Sequence, residues 1–165
     1  MIKDKELIRL STFNTRGLGE NSKRRITLNW LRRYYTGILF LQETHSSETS
    51  EKMWRNEWKG QLEFSHGKST ARGVAILLSP AINITVNKVS RDSEGRFLLL
   101  ETVFEGQALI LINIYAPTED NQTSQYEFLQ FVHTQLREYT GSNIILGGDF
   151  NVCLEPCIDK KGGKN

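Results

Sequence analysis

Apolar positions in this chain come in short dense runs separated by polar punctuation. Residues 7–14, with Ile8, Leu10 and Phe13 as apolar anchors, predict a first strand. Gly17 and Gly19 mark a loop, and Asn21 or Ser22 can start a helix that runs to about Tyr34. Ile26, Trp30, Leu31 and Tyr34 are expected on the buried face of that helix. Gly37 ends it, and residues 38–42 are continuously apolar up to Gln42, as in a strand buried on both faces.

A second helix is predicted over residues 50–58, with Trp54 and Trp58 as core anchors rather than platforms for stacked bases. Residues 61–65 and 73–79 read as strands, the latter closed by Pro80. Segments 82–89, 96–104 and 107–115 are joined by Asp92-Ser93-Glu94-Gly95 and Glu105-Gly106, which is turn chemistry, and predict an antiparallel meander. A helix over 124–139, with Tyr126, Leu129, Val132 and Leu136 on one face, precedes a last strand at 143–150. Strands interleaved with helices predict two packed sheets covered by helices, an α/β sandwich in a single domain spanning residues 1–165. The tail after Phe150 is polar and is not expected to order by itself.

Composition narrows the function classes. The net charge is only +2, but residues 1–33 hold nine Lys/Arg against three Asp/Glu, a net of +6, so the remainder carries −4. A basic N-terminal third beside a mildly acidic body suits a polyanion surface next to a metal site, and charge alone suits a solvated helix face equally well. Two cysteines, Cys153 and Cys157, make neither a disulfide framework nor a zinc site, and imply a reducing interior, nuclear or cytoplasmic. The opening MIKDKELIRL has no apolar run suited to a signal peptide, and the most apolar stretch, 108–116, is too short for a bilayer and contains Asn113. No membrane partner is therefore expected.

Polar groups recur where apolar strands end: Asn14 in "STFNTRGL", Glu43 in "LQETH", Tyr115 in "NIYAPTED", Asp149 and Asn151 in "ILGGDFN". Strand ends in an α/β sheet converge on one crevice, so these groups could meet although far apart in sequence. Asp149 and Asn151, two apart on an extended segment, would face one side and Phe150 the core. Gly147 and Gly148 permit close backbone approach or a bulge. Two carboxylates with two amide side chains are oxygen-rich partners for a hard cation such as magnesium, and no Cys or His pair is offered to zinc. Singly, each residue is an ordinary turn or cap. His45 and His66 read as surface groups or supports behind the site, and His133 as structural.

Asn14 in "FNTRGL", Glu43 in "LQETH", Gly73 in "RGVAILLS", Tyr115 in "NIYAP" and Asp149/Asn151 in "GDFN" resemble, in order and spacing, the motifs of the endonuclease/exonuclease/phosphatase superfamily. "QETH", "RGVAILLS" and "NIYAP" are most similar to the endonuclease domains of LINE-type retrotransposons. The resemblance implies a four-layer, pancreatic-DNase-like sandwich, present here as its N-terminal two-thirds. It implies magnesium, with manganese as an alternative, held by Glu43 with help from Asn14, and no organic cofactor. Asp149 would activate water, Asn151 would position Asp149 or the phosphate, and Tyr115 would bond a phosphate oxygen. DNA would be cut to a 3′ hydroxyl and a 5′ phosphate, with Arg16, Lys23, Arg24 and Arg25 on its backbone. The family's terminal Asp–His pair has no counterpart after Asp149, so the chain alone is expected to be nearly inactive. Abasic-site nuclease, phosphoinositide phosphatase, non-catalytic nucleic-acid binding and a relic without function remain alternatives. Oligomeric state is not encoded legibly.

Overall fold

The computed structural model describes residues 8–68, 70–118 and 122–152. In chain order the elements are β1 (Arg9–Asn14), α1 (Asn21–Tyr34), β2 (Gly37–Gln42), a short 3-10 turn (Glu48–Ser50), α2 (Glu51–Trp58), β3 (Gln61–Ser65), β4 (Val74–Leu78), β5 (Ile84–Arg91), β6 (Phe97–Phe104), β7 (Gln107–Tyr115), α3 (Gln122–Arg137) and β8 (Asn143–Asp149). Two four-stranded sheets form, ordered β1-β2-β4-β3 and β5-β6-β7-β8. The predicted meander is the antiparallel trio β5-β6-β7, while β1 runs parallel to β2 and β8 parallel to β7.

The period-two alternation of the strands builds four layers. Leu39 and Leu41 of β2 pack outward with Trp54, Trp58, Leu28 and Leu31 of the two helices. Ile38 and Phe40 face inward, against Leu98, Leu100 and Leu111 of the second sheet. Phe97, Leu99, Ile110, Ile112 and Ile114 point to the far side, where Val132, Phe128 and Leu136 of α3 cover them. Every residue of β2 is buried, as its unbroken apolar run implies. Gly147 is required where β8 crosses the first sheet, because a Cβ there would stand 2.6 Å from the Phe40 ring. That is the close approach the sequence allowed.

Two helix faces differ from expectation. In α1 the buried stripe is Arg24, Leu28 and Leu31, whereas Ile26 (71% exposed), Trp30 and Tyr34 are outside. Arg24 takes an apolar position because Glu57 neutralises it through two bonds, Nε to Oε2 at 2.8 Å and Nη2 to Oε1 at 3.1 Å, and its guanidinium lies 5.8 Å from the Trp54 ring. Trp30 instead packs on the flank with Phe13 and Tyr35. In α3 Tyr126 is exposed, and Phe128 takes its place on the stripe with Val132 and Leu136. Phe150 is exposed rather than buried in the core, since β8 ends one residue before it. Cys153, Cys157 and the polar tail lie outside the described residues.

The inter-sheet core is not wholly apolar. Asn113 of β7, fully buried, donates both amide hydrogens across the sandwich to the main-chain oxygens of Leu41 (2.9 Å) and Ala75 (2.8 Å). Its Oδ1 accepts from Gln42 Nε2 at 2.7 Å, and Gln42 also donates to Thr12 Oγ1 at 3.0 Å. Removing the Asn113 amide takes the acceptor from Gln42 Nε2 and breaks two inter-sheet bonds in a dry interior. Asn113→Ala is expected to cost roughly 3 kcal/mol in urea unfolding. A loss no larger than that of an exposed Asn→Ala change would contradict this accounting.

Candidate active site

The site is assembled by strand ends. Parallel pairing sets Asn14 opposite Gln42, so Glu43 follows directly at the end of β2, and sets Tyr115 opposite Asp149 at the ends of β7 and β8. Asn14 bridges the two sheets: its Nδ2 donates to Glu43 Oε1 at 2.7 Å and to Asp149 Oδ2 at 2.8 Å. The Tyr115 hydroxyl donates to the same Glu43 Oε1 at 3.0 Å. Residues spaced 135 positions apart in sequence thus share one amide group.

Local backbone geometry aims these side chains. Among the described residues, Arg16, Glu43 and Asn151 are non-glycine residues in the left-handed region, with φ of 49°, 51° and 49°, each just past the end of a site strand. Such a residue costs roughly 1–2 kcal/mol, which surrounding bonds must offset. They do: Asn14 Oδ1 accepts from Arg16 N at 3.0 Å, Thr15 Oγ1 and Gly17 N donate to Glu43 O, and Asn151 N donates to Asp149 Oδ1 at 3.0 Å. The left-handed turn at Asn151 corrects the expectation that Asp149 and Asn151 share one face of an extended segment. Asn151 holds Asp149 through its main chain, and its side chain donates to Ala116 O at 2.7 Å.

Burial, then the hydrogen bond and charge of Glu43, raise the Tyr115 hydroxyl above the ordinary tyrosine value against the pull of Arg96. Tyr115 is therefore a proton donor at neutral pH. Arg96 stands 5.3 Å from the Tyr115 ring and donates from Nη1 to Tyr115 O at 3.0 Å, while Tyr115 N donates back to Arg96 O. Burial, with the Arg72 charge adding to it, lowers the Arg96 value. Sequence reading missed Arg96, because nothing at the start of a strand signals a partner 19 residues away.

Glu43 and Asp149 supply oxygens suited to a hydrated hard cation, which needs one or two carboxylates and leaves its other positions to water and phosphate. Asn14 turns its nitrogen toward both carboxylates, so it spaces them here rather than adding a ligand oxygen. Among the described residues no group of three or more His, Cys, Asp or Glu could hold a metal by itself. Glu43 and Asp149 thus offer the carboxylate number and oxygen chemistry that a largely hydrated magnesium ion uses.

The basic residues divide. Arg16 and Arg25 are exposed beside the site loop and on α1. Lys23 Nζ donates to the main-chain oxygens of Thr15 (3.1 Å) and Arg16 (2.9 Å), leaving one ammonium hydrogen. Arg24 is 1% exposed and paired with Glu57, which removes it from the polyanion-binding set. His133 is exposed on α3, the His45 ring lies against Gly17, and His66 is bonded to Ser46 and Glu51.

Comparison with known proteins gives this geometry a family. A sequence model described as "Endonuclease/Exonuclease/phosphatase family" matches residues 11–156. The chain is 32% identical over 147 residues to the "Transposon TX1 uncharacterized 149 kDa protein" of Xenopus laevis, a match covering 88% of this chain and 11% of that one. The fold is shared with an AP endonuclease from Archaeoglobus fulgidus, at a TM-score of 0.67 and 24% identity, covering 91% of this chain and 60% of the other. It is shared also with D. rerio TDP2 complexed with single strand DNA product, at a TM-score of 0.66 and 19% identity, covering 88% and 61%. Caenorhabditis elegans TDP2 superimposes with a TM-score of 0.61 at 20% identity, over 81% of this chain and 43% of that one. The chain thus spans less than two-thirds of these relatives. With the family's sequence pattern matched along most of its length and the family's α/β sandwich in place, the chain belongs to the endonuclease/exonuclease/phosphatase family.

Proposed function

We propose that this chain is the N-terminal part of a magnesium-dependent DNA endonuclease domain from a retroelement-type protein, hydrolysing a phosphodiester to a 3′ hydroxyl and a 5′ phosphate. The observation that carries this reading is the Glu43–Asn14–Asp149 bridge, with the Tyr115 hydroxyl on the same Glu43 oxygen. The similarity to a transposon protein supports the retroelement assignment.

In this reading Glu43 holds the cation. Bound magnesium, or manganese in its place, would offset negative charge growing on the phosphate and leaving oxygens. Asp149, fixed by the Asn151 main chain, accepts a proton from the attacking water. Tyr115 turns its hydroxyl from Glu43 to a nonbridging phosphate oxygen, and Arg96 steadies the ring. Asn14 keeps Glu43 and Asp149 apart at a fixed separation. Arg16, Lys23 and Arg25 contact the DNA backbone, with affinity set by phosphate charge rather than sequence.

The test is nicking of supercoiled plasmid by a polypeptide containing these residues. Activity requiring magnesium and falling about 100-fold or more in Glu43→Ala and Asp149→Ala is expected, because the first removes the carboxylate that would hold the cation and the second the base that takes the water's proton. Equal nicking in chelator, or by Glu43→Ala, would refute the assignment. Abasic duplex and inositol phosphates tested alongside plain duplex separate the three phosphodiester and phosphatase readings.

The 165-residue polypeptide by itself is expected to nick at or near background. The four site groups include no imidazole, and no histidine follows His133. Nicking by the pure polypeptide that disappears in Glu43→Ala would overturn this expectation.

DNA binding should weaken with salt. Each phosphate contact contributes about 0.9 to the slope of log affinity against log salt, so the Arg16/Lys23/Arg25→Ala triple variant is expected to reduce that slope by about 2–3. Arg24→Ala should lower thermal stability and leave the slope within about 0.5 of wild type. An unchanged slope in the triple variant would place the DNA surface elsewhere.

A further inference from the structure

A chain of side-chain hydrogen bonds runs behind the loop that carries Glu43, and the proposed chemistry does not use it. The hydroxyls of Thr44 and Ser46, both buried, are 2.9 Å apart. Ser46 Oγ lies 2.9 Å from His66 Nδ1, and His66 Nε2 lies 2.8 Å from Glu51 Oε1 on α2. Arg55 completes the run, donating to Glu51 Oε2 at 3.1 Å and to Leu62 O at 2.8 Å. A neutral imidazole satisfies every step: Nε2–H donates to Glu51, Nδ1 accepts the Ser46 hydroxyl, and Ser46 accepts from Thr44. The ring is stacked on Phe64, with centroids 5.0 Å apart.

The loop needs such support. Glu43 and His45 are both left-handed non-glycine residues, with φ of 51° and 50°. Thr44 N and His45 N donate to Gly73 O and Arg72 O, each at 3.0 Å. Gly73 is itself at φ +91°, and a Cβ there would stand 2.5 Å from Thr44 Oγ1, so only glycine lets the two loops meet. The backbone on either side of Thr44 is thus strained, and the hydroxyls of Thr44 and Ser46 are tied to α2 through one imidazole.

We propose that His66 is a positioning residue for Glu43: acting through Ser46 and Thr44, it locks the 43–46 turn against α2 and keeps the Glu43 carboxylate beside Asn14 and Asp149. This rests on the reading of Glu43 as the cation-holding carboxylate. His66 touches neither cation nor phosphate. The link also explains why an imidazole, with an acceptor and a donor on opposite sides of one ring, sits between a serine and a carboxylate.

Two measurements on the full 165-residue chain test it. In amide hydrogen exchange, His66→Ala is expected to speed exchange at Thr44 and His45 about tenfold or more, with Leu39 and Leu41 of β2 unchanged. His66→Gln, which can accept from Ser46 and donate to Glu51, should restore most of the protection, and Ser46→Ala should reproduce the local loss with the imidazole in place. Uniform acceleration along the chain, wild-type exchange at Thr44 and His45 in both Ala variants, or no rescue by Gln would overturn the proposal. In Mn²⁺ titration followed by paramagnetic resonance, His66→Ala should weaken binding about 10–100-fold, as loss of an outer support does at metal sites. Glu43→Ala should abolish it. Mn²⁺ binding that survives Glu43→Ala, or none by wild type, defeats the reading of the site, and the exchange measurement still decides the role of His66. Binding lost in Glu43→Ala and intact in His66→Ala defeats the positioning role alone.

Discussion

Everything at the rim where Asn14, Glu43, Tyr115 and Asp149 meet depends on how the two sheets are registered, and one buried amide sets that register. Apolar side chains hold the sheets together but are nearly indifferent to small sliding, because dispersion and the hydrophobic effect are non-directional. Asn113 is directional. Its bonds to Leu41 O, Ala75 O and Gln42 fix one point of β7 against one point of the first sheet. Gln42 precedes Glu43 and Asn113 lies two residues before Tyr115, so the link fixes those two side chains as well. A fully satisfied network can do this without the penalty of an unpaired buried polar group.

The rim itself is built by a second, exposed layer of amide chemistry. Two carboxylates from different sheets would repel if left alone, and the neutral Asn14 amide separates them while donating to both. A hydrated cation with a phosphate would suit the same place for the same electrostatic reason. Conformational strain is concentrated here as well: of the left-handed non-glycine residues described, Arg16, Glu43, His45, Arg72 and Asn151 all belong to the loops around the site. Strain of this kind survives only where surrounding bonds over-determine the backbone. The hydrogen-bonded run from Thr44 to Arg55 is one such constraint on the Glu43 loop.

Positive charge is distributed by packing rather than by composition. Arg24 and Arg25 are neighbours in sequence, yet one is sealed against Glu57 and Trp54 and the other faces solvent. Helical geometry places adjacent residues about 100° apart, so a basic pair on a helix is divided by whichever face packs. Lys23 is intermediate, spending two hydrogens on the carbonyls of the Asn14 loop.

The sequence by itself determined the elements and the two-sheet sandwich covered by helices, because these follow from local rules. Alternation, turn residues and apolar runs located all eight strands within two or three residues, and strand ends marked Asn14, Glu43, Tyr115 and Asp149. What only the tertiary structure decided was which faces pack and which polar groups pair. The buried stripe of α1 passes through Arg24 rather than Ile26 because Glu57 of another helix is there to neutralise it. Asn113 registered only as a polar residue in an apolar run, and His66 as a support without a partner. Each of those roles is fixed by an atom 15 to 72 residues away in sequence, and no local pattern carries that distance.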